Sequence, residues 1–276
     1  MKIHAPLATL ALAAAWIAGP ASAQELFAGS PDVTVPLGGS LAQDQDVAVD
    51  NQLGIVLLED LGSLPTAAEV TAYALDANGD RLFAIDTTTS LAGGVVVTPR
   101  DVIRWDGASY VVELDGTSEG IPSGAAIDAV ATAPGESLLV SFDTTIAVDG
   151  QTFADEDLAR WDGALFTTAF DGSAAGLAAA HDVDAAQDLG GGAFLVSLDT
   201  SGTLSGIDFD DEDVLRYDGA AWSLEIDASA LDADWRAADL DAMQVPEPGL
   251  VEAILAGLLA VFTFGRRYRR MPARER

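Results

Sequence analysis

An internal repeat constrains the fold of this chain more than any other sequence feature. The tetrapeptide Arg-(Trp/Tyr)-Asp-Gly begins at Arg104, Arg160 and Arg216, so its copies lie 56 residues apart. A fixed period of this order is typical of architectures in which each repeat forms one supersecondary unit. The chain is therefore expected to be an assembly of similar units.

Each unit is predicted to contain four short β-strands. In one copy they fall at 127–130, 138–143, 160–163 and 166–171, with a loop rich in Gly and Thr and then an acidic triplet between the second and third. The segments are four to six residues long, rich in β-branched and aromatic residues, and bounded by turn residues. The Asp-Gly pair that ends each third segment is a strong hairpin signal because glycine accepts a positive φ.

The two ends of the body hold complementary fragments of one more unit. Residues 27–32 align with 194–199, and 44–46 align with 211–213, both at an offset of 167; residues 55–58 read as a fourth strand. The C-terminal segment 239–243 supplies only a first strand. Three strands plus one complete a fourth unit, which predicts an all-β, four-bladed β-propeller-like ring closed between the termini.

The predicted repeat domain spans residues 24–244. Its units are about 24–68 plus 239–244, 69–126, 127–181 and 182–238. An open array or a pair of sandwiches would use the same strands, but neither predicts the complementary ends.

The first 23 residues have the layout of a secretory signal peptide. Lys2 precedes an apolar run from Leu7 to Gly19, and the small residues Ala21 and Ala23 place cleavage before Gln24. An N-terminal anchor is the alternative, but the apolar run is short for a membrane span.

Residues 245–276 form a tail with three ordered features. The motif Val245, Pro246, Glu247, Pro248 leads into an apolar segment at about 249–265, which predicts a transmembrane helix about 25 Å long. A basic cluster follows, formed by Arg266, Arg267, Arg269 and Arg270. Arginines beside a span stay on the cytoplasmic side, so the body is expected outside the inner membrane.

This tail resembles the PEP-CTERM sorting signal of Gram-negative bacteria that make exopolysaccharide. The resemblance implies recognition by an exosortase, a membrane transpeptidase that cuts near the motif. The repeats also look like acidic repeats of other PEP-CTERM surface proteins, a family that supplies no biochemical activity to carry over. An ordinary single-span tail anchor is the alternative interpretation.

The charge of the body excludes some partners. Residues 24–244 hold 41 acidic residues and six arginines, and the whole chain has a net charge of −31. Such a surface repels nucleic acid and anionic lipid, and it attracts divalent cations. The chain has no cysteine, and His181 is the only histidine outside the signal peptide, so zinc catalysis lacks its usual ligands.

The repeated acidic triplets are the candidate metal ligands. Their carboxylates suit Ca²⁺, which takes six to eight oxygen ligands. The candidate residues are Asp155, Glu156, Asp157, Asp211, Glu212 and Asp213. The alternative is that these acids accept backbone N–H bonds at a turn with no metal.

The repeated arginines and aromatic residues have structural interpretations. Arg104, Arg160 and Arg216 are expected to pair with acids of their own or a neighbouring blade. The repeat-equivalent aromatic residues are expected in the inter-blade core, and a lectin-like role for them stays open.

Together these features predict a non-enzymatic, exported cell-surface or extracellular-matrix protein. Its expected partners are the export machinery, an exosortase, the inner membrane through the C-terminal helix, and exopolysaccharide, with Ca²⁺ as the candidate ion. The alternative is a secreted carbohydrate-active enzyme or lectin that uses paired carboxylates or aromatic residues of the ring.

Overall fold

The computed structural model describes residues 27–50, 56–135 and 137–245. The predicted signal peptide with Ala21, Ala23 and Gln24, the motif from Pro246 onward, the helix at about 249–265 and the basic cluster lie outside these residues. Across the described ranges, no helix combines the length and hydrophobicity needed to cross a bilayer.

Four antiparallel sheets of four strands each, called blades 1 to 4, make up the body. From the innermost to the outermost strand, blade 1 contains Leu240–Gln244, Phe27–Pro31, Ala48–Asp50 and Val56–Leu58. Blade 2 contains Val70–Leu75, Arg81–Ile85, Val102–Trp105 and Tyr110–Leu114. Blade 3 contains Ile127–Ala133, Ser137–Phe142, Leu158–Trp161 and Phe166–Phe170. Blade 4 contains Val183–Gly190, Ala193–Leu198, Val214–Tyr217 and Trp222–Ile226.

The four blades form a closed ring, which confirms the propeller prediction. The innermost strands of successive blades contact one another, including those of blades 4 and 1 and of blades 1 and 2. Blade 1 is shared between the chain ends: Gly29 pairs with Met243 and Ser30 with Ala242 in antiparallel register. Sharing a blade in this way covers the strand edge that an open array would expose.

A repeated aspartate shows that the shared blade is built like the others. The aspartate after each second strand accepts a hydrogen bond from the backbone N–H at the start of the innermost strand, over 2.7–2.9 Å. The four acceptor–donor pairs are Asp32 with Asp239, Asp86 with Glu69, Asp143 with Ala126, and Asp199 with Asp182. In blade 1 this bond joins residues 207 positions apart, so it contributes directly to ring closure.

The hydrophobic core consists of four clusters, one in each gap between neighbouring blades. Second strands are buried on both faces, as in Ser137–Phe142, whereas outermost strands such as Phe166–Phe170 are buried at their ends and exposed in between. Trp105 and Trp222 belong to these clusters, and Trp161 and Tyr217 pack against them, as predicted. Stability thus depends on contacts between blades, so an unclosed ring would leave one gap exposed.

Small elements between the main strands were not predicted. Two-stranded hairpins join each second strand to its third: Val35–Leu37 with Ser40–Ala42, Thr89–Ser90 with Val96–Val97, Ile146–Val148 with Gln151–Phe153, and Gly202–Leu204 with Ile207–Phe209. Short α-helices at Gly172–Ala175 and Ala228–Leu231 and 3₁₀ turns at Ala92–Gly94 and Ala233–Ala237 complete the described elements. A turn signal was present at Asp149-Gly150, where φ is 53° and 74°, as a type I′ hairpin turn requires.

The strand Leu240–Gln244, which closes the ring, is held at its end by hydrogen bonds from the side chain of Gln187, called here the clasp. Gln187, on the innermost strand of blade 4, accepts a 2.7 Å hydrogen bond from Val245 N–H and donates a 2.6 Å bond to its carbonyl. Gln244 Oε1 accepts a 3.2 Å bond from the backbone N–H of Leu75 in blade 2. Residues 244 and 245 are therefore tied to both neighbouring blades.

We expect Gln187→Ala to destabilise the protein by about 1–3 kcal/mol, because it leaves the buried N–H of Val245 without its partner. Urea unfolding measures the change. Gln43→Ala, at an exposed position whose side chain makes no bond to the closing strand, is the control and should stay within about 0.5 kcal/mol of wild type. Equal midpoints for the two variants would contradict a role of the clasp in closure.

Candidate functional site

The candidate site lies where the four innermost strands begin, at one end of the central channel. Successive side chains of a strand point to opposite faces. At this end Val70, Ile127, Val183 and Leu240 are fully buried between blades. The residues that follow them, Thr71, Asp128, Asp184 and Asp241, therefore face the channel.

These positions enclose a cavity of about 190 Å³, called here the acidic mouth. It is lined by Glu69, Thr71, Asp128, Asp184 and Asp241. None of the six arginines among the described residues lines it. The mouth is thus a concentration of carboxyl groups without a protein cation to balance it.

Burial and mutual repulsion raise the pKa values of these carboxyls. Burial is the larger cause at Asp128 and raises its pKa to about 9, with Asp182 adding repulsion. The pKa of Asp182 rises to about 7 through burial and the charge of Asp155, and that of Asp239 also rises to about 7, mainly through burial. Burial, followed by repulsion from Asp239, raises the pKa of Asp184 well above its usual value.

One pair of carboxyls, Glu69 and Asp241, is joined by a side-chain hydrogen bond. Burial and a hydrogen bond with Glu69 raise the pKa of Asp241 to about 9. Burial also raises the pKa of Glu69, although the bond from Asp241 works in the opposite direction. The hydrogen bond thus favours the protonated form of Asp241 and the ionised form of Glu69.

Three aspartates of the mouth and two beside it form two overlapping groups with the spacing of metal ligands. Asp128, Asp182 and Asp184 form one, and Asp184, Asp239 and Asp241 form the other. Within each group, one carboxylate oxygen from each aspartate lies within 4.8 Å of one oxygen from each of the other two. Three buried oxygens in the first group, Oδ2 of Asp128, Oδ1 of Asp182 and Oδ2 of Asp184, have no hydrogen-bond partner.

The predicted triplets lie outside these two groups and have a visible structural role. Asp157 accepts hydrogen bonds from the N–H groups of Ala154 (3.0 Å) and Gly172 (2.9 Å), which joins the start of the third strand to the end of the fourth. Asp213 accepts from Asp210 N–H over 3.0 Å in the same way. These are the turn contacts that the alternative interpretation described, whereas calcium at Asp155, Glu156, Asp157, Asp211, Glu212 and Asp213 stays a prediction.

The middle acids of the triplets are more deeply buried. Glu156 and Glu212 are each 2% exposed, and Glu156 accepts a hydrogen bond from Ser173. The carbonyl of Asp155 accepts from Val183 N–H, which links the triplet loop of blade 3 to the innermost strand of blade 4. The triplet of blade 3 thus supports the start of the innermost strand of blade 4.

The repeated arginines make the predicted ion pairs. Arg104 contacts Glu113 (2.9 Å) and Asp80 (3.2 Å) within blade 2. Arg160 reaches Asp188 of the next blade at 3.4 Å. Arg216 lies 3.9 Å from Glu225. These residues reinforce blades and their junctions.

His181 also has a structural setting. Its Nδ1 accepts a hydrogen bond from Ala178 N–H, and its ring packs edge-on against Phe209. It belongs to neither carboxylate group.

Sequence reasoning recognised the Asp/Ala strand as a repeat element but did not assign it to a site. The available signal was an aspartate in the second position of three innermost strands, at 128, 184 and 241. The alternation of side chains along a strand gives each strand two faces. Only ring closure shows that the face with these aspartates lines the channel.

In the presence of EDTA, we expect stability to fall as the pH rises from 6 to 9. Asp128 and Asp182 have folded-state pKa values of about 9 and about 7, above the ordinary value of 3.8, so the folded protein holds protons that the unfolded chain has already released. Linkage then lowers the unfolding free energy by about 1.4 kcal/mol per pH unit for each such proton.

Urea unfolding at several pH values measures this slope. Asp128→Asn removes one titrating group and should flatten the slope. Asp162→Asn makes the same charge change in an exposed Asp-Gly turn that tolerates asparagine, and should keep the wild-type slope. Stability that stays level or rises with pH in the wild type would contradict the raised pKa values.

Comparisons with known proteins identify no family. No family model and no curated protein match the sequence. Similar solved structures include a luciferin-regenerating enzyme, with 9% identity, a TM-score of 0.35, and coverage of 71% of this chain and 61% of that one. YCF48 bound to a D1 peptide has 8% identity, a TM-score of 0.31 and coverage of 72% of each chain. An extracellular domain of a one-component system from B. thetaiotaomicron has 9% identity, a TM-score of 0.30, and coverage of 72% of this chain and 28% of that one. These likenesses are too weak to carry a function across, and the four-bladed architecture rests on the sheets described above.

Proposed function

We propose that this chain is an exported, non-enzymatic cell-surface or extracellular-matrix protein of a Gram-negative bacterium. An exosortase recognises and cuts its Pro246-Glu247-Pro248 tail, and the propeller serves as a scaffold or binding module. The observation that carries the proposal is the position of ring closure. The last strand ends at Gln244, and the clasp from Gln187 ends at Val245.

Closure just before the motif makes the body independent of its tail. All four blades, their inter-blade clusters and the clasp are complete within residues 27–245. A cut beyond residue 245 removes no strand from the ring. This arrangement suits a protein that is folded first and released from its membrane segment afterwards.

The direction of the closing strand gives the anchored protein an orientation. Asp241 lies at the start of this strand, at the acidic mouth, and Val245 follows its end. Four residues of strand cover about 13 Å along the channel. With the tail in the inner membrane, the mouth therefore faces away from the bilayer, which also keeps its charge from anionic lipid.

The size of the mouth favours a binding module over an enzyme. The alternative function is a secreted carbohydrate-active enzyme or lectin, and the raised pKa of Asp128 beside other carboxyls favours it, because glycosidases use such an acid. The cavity of about 190 Å³ is smaller than the roughly 300–1,000 Å³ of typical small-molecule sites. Exopolysaccharide is accordingly proposed as a neighbour of the protein and not as its substrate.

Expression of the full chain with and without an exosortase, in an exopolysaccharide-producing Gram-negative host, tests the sorting proposal. Intact-mass measurement should find a mature form that lacks Arg266, Arg267, Arg269 and Arg270 only when the exosortase is present. Glu247→Ala should abolish the shortening, whereas the control Glu252→Ala, outside the motif, should allow it. A basic cluster retained in both strains would contradict cleavage.

A further inference from the structure

Protonation supplies hydrogen-bond partners for only part of the carboxylate oxygens at the acidic mouth. The two groups of aspartates have Asp184 in common, and three of their buried oxygens have no hydrogen-bond partner. A buried acceptor without a partner costs free energy, and native proteins leave few of them. A proton on one carboxyl supplies a single donor, whereas a cation between three carboxyls satisfies several oxygens at once.

The spacing of the oxygens fits a calcium ion. Ligands on opposite sides of Ca²⁺ are separated by about twice the Ca–O distance of 2.3–2.6 Å. The 4.8 Å limit within each group therefore leaves room for one ion among its three carboxylates. The remaining coordination positions fall to water, and a cavity of about 190 Å³ has the volume of about six water molecules.

The donor set and the charge favour Ca²⁺ over other ions. Both groups offer carboxylate oxygens alone, without histidine or cysteine, which suits a hard cation and disfavours zinc. Calcium tolerates irregular oxygen shells better than Mg²⁺, which demands a compact octahedron. When ionised, the five aspartates carry a charge that two calcium ions nearly balance.

We propose that the acidic mouth binds Ca²⁺ at two adjoining positions, with Asp184 as a ligand of both. Asp128 and Asp182 complete the protein ligands of one position, and Asp239 and Asp241 those of the other. Because these residues come from blades 3, 4 and 1, the ions join three innermost strands, including the closing strand. The site is distinct from the predicted triplet sites, and it does not depend on the export proposal.

Isothermal titration of CaCl₂ into the purified full-length protein, freed of metal with EDTA, tests the proposal. The wild type should show saturable binding and a rise of several degrees in Tm with Ca²⁺. Asp184→Asn should weaken binding at least tenfold and lose the Tm rise. It should remain folded in EDTA by circular dichroism, because it removes a buried carboxyl. Asp241→Asn is the second variant and should lose one of the two positions.

Two controls separate this site from general acidity. Asp162→Asn makes the same charge change in an exposed turn, and Glu212→Gln alters a triplet; both should bind Ca²⁺ like the wild type. Absence of binding heat and of a Tm rise in the wild type would overturn the proposal. Wild-type affinity in Asp184→Asn, or loss of binding in Glu212→Gln alone, would also overturn it.

Discussion

The antiparallel pairing of Leu240–Gln244 with Phe27–Pro31 is the interaction on which the rest of this structure depends. The core is divided into four inter-blade clusters, so each blade is stabilised mainly by its two neighbours. Without this pairing, two of the clusters would lose the closing strand. The clusters beside blade 1 contain Leu240 and Met243 on one side and Ala242 on the other. The chain has no disulfide to substitute for this contact.

The same closure creates the acidic mouth. Asp239 and Asp241 lie far from Asp128 and Asp184 in sequence, and they meet only because the innermost strands surround one channel. Bringing these carboxyls together opposes folding through burial and repulsion, which is the physical origin of their raised pKa values. Protons relieve this cost at low pH, and a divalent cation would relieve it at higher pH. The pH and the cation content of the surrounding medium set the choice between them.

Much of the fold was predictable because equivalent residues of the repeat recur at a fixed spacing along the sequence. Arg104, Arg160 and Arg216 fix the period, and the fragments at the two ends complement each other at one offset. The short hairpins escaped prediction because three-residue strands carry no periodic pattern, although Asp149-Gly150 marked one of their turns. Strand positions follow from local pattern, and blade order follows from the repeat.

The candidate site was less predictable because it depends on which face of a strand meets the channel axis. The triplets were predicted to bind metal because three acids stand side by side in each. In the structure, Asp157 and Asp213 instead accept hydrogen bonds from backbone N–H groups. Asp128 and Asp184 stand among alanines and branched residues in sequence, so they look like isolated polar positions of a buried strand. Their meeting is a product of tertiary closure, which no local pattern records.

Hydrogen exchange of the backbone amides of Leu240–Gln244 measures the closure directly. If this strand completes blade 1, its amides should exchange as slowly as those of the innermost strands Ile127–Ala133 and Val183–Gly190, with exchange limited by global unfolding. Exchange of Leu240–Gln244 at the rate of an exposed segment, while those two strands stay protected, would show that the ring is not closed by the C-terminal strand.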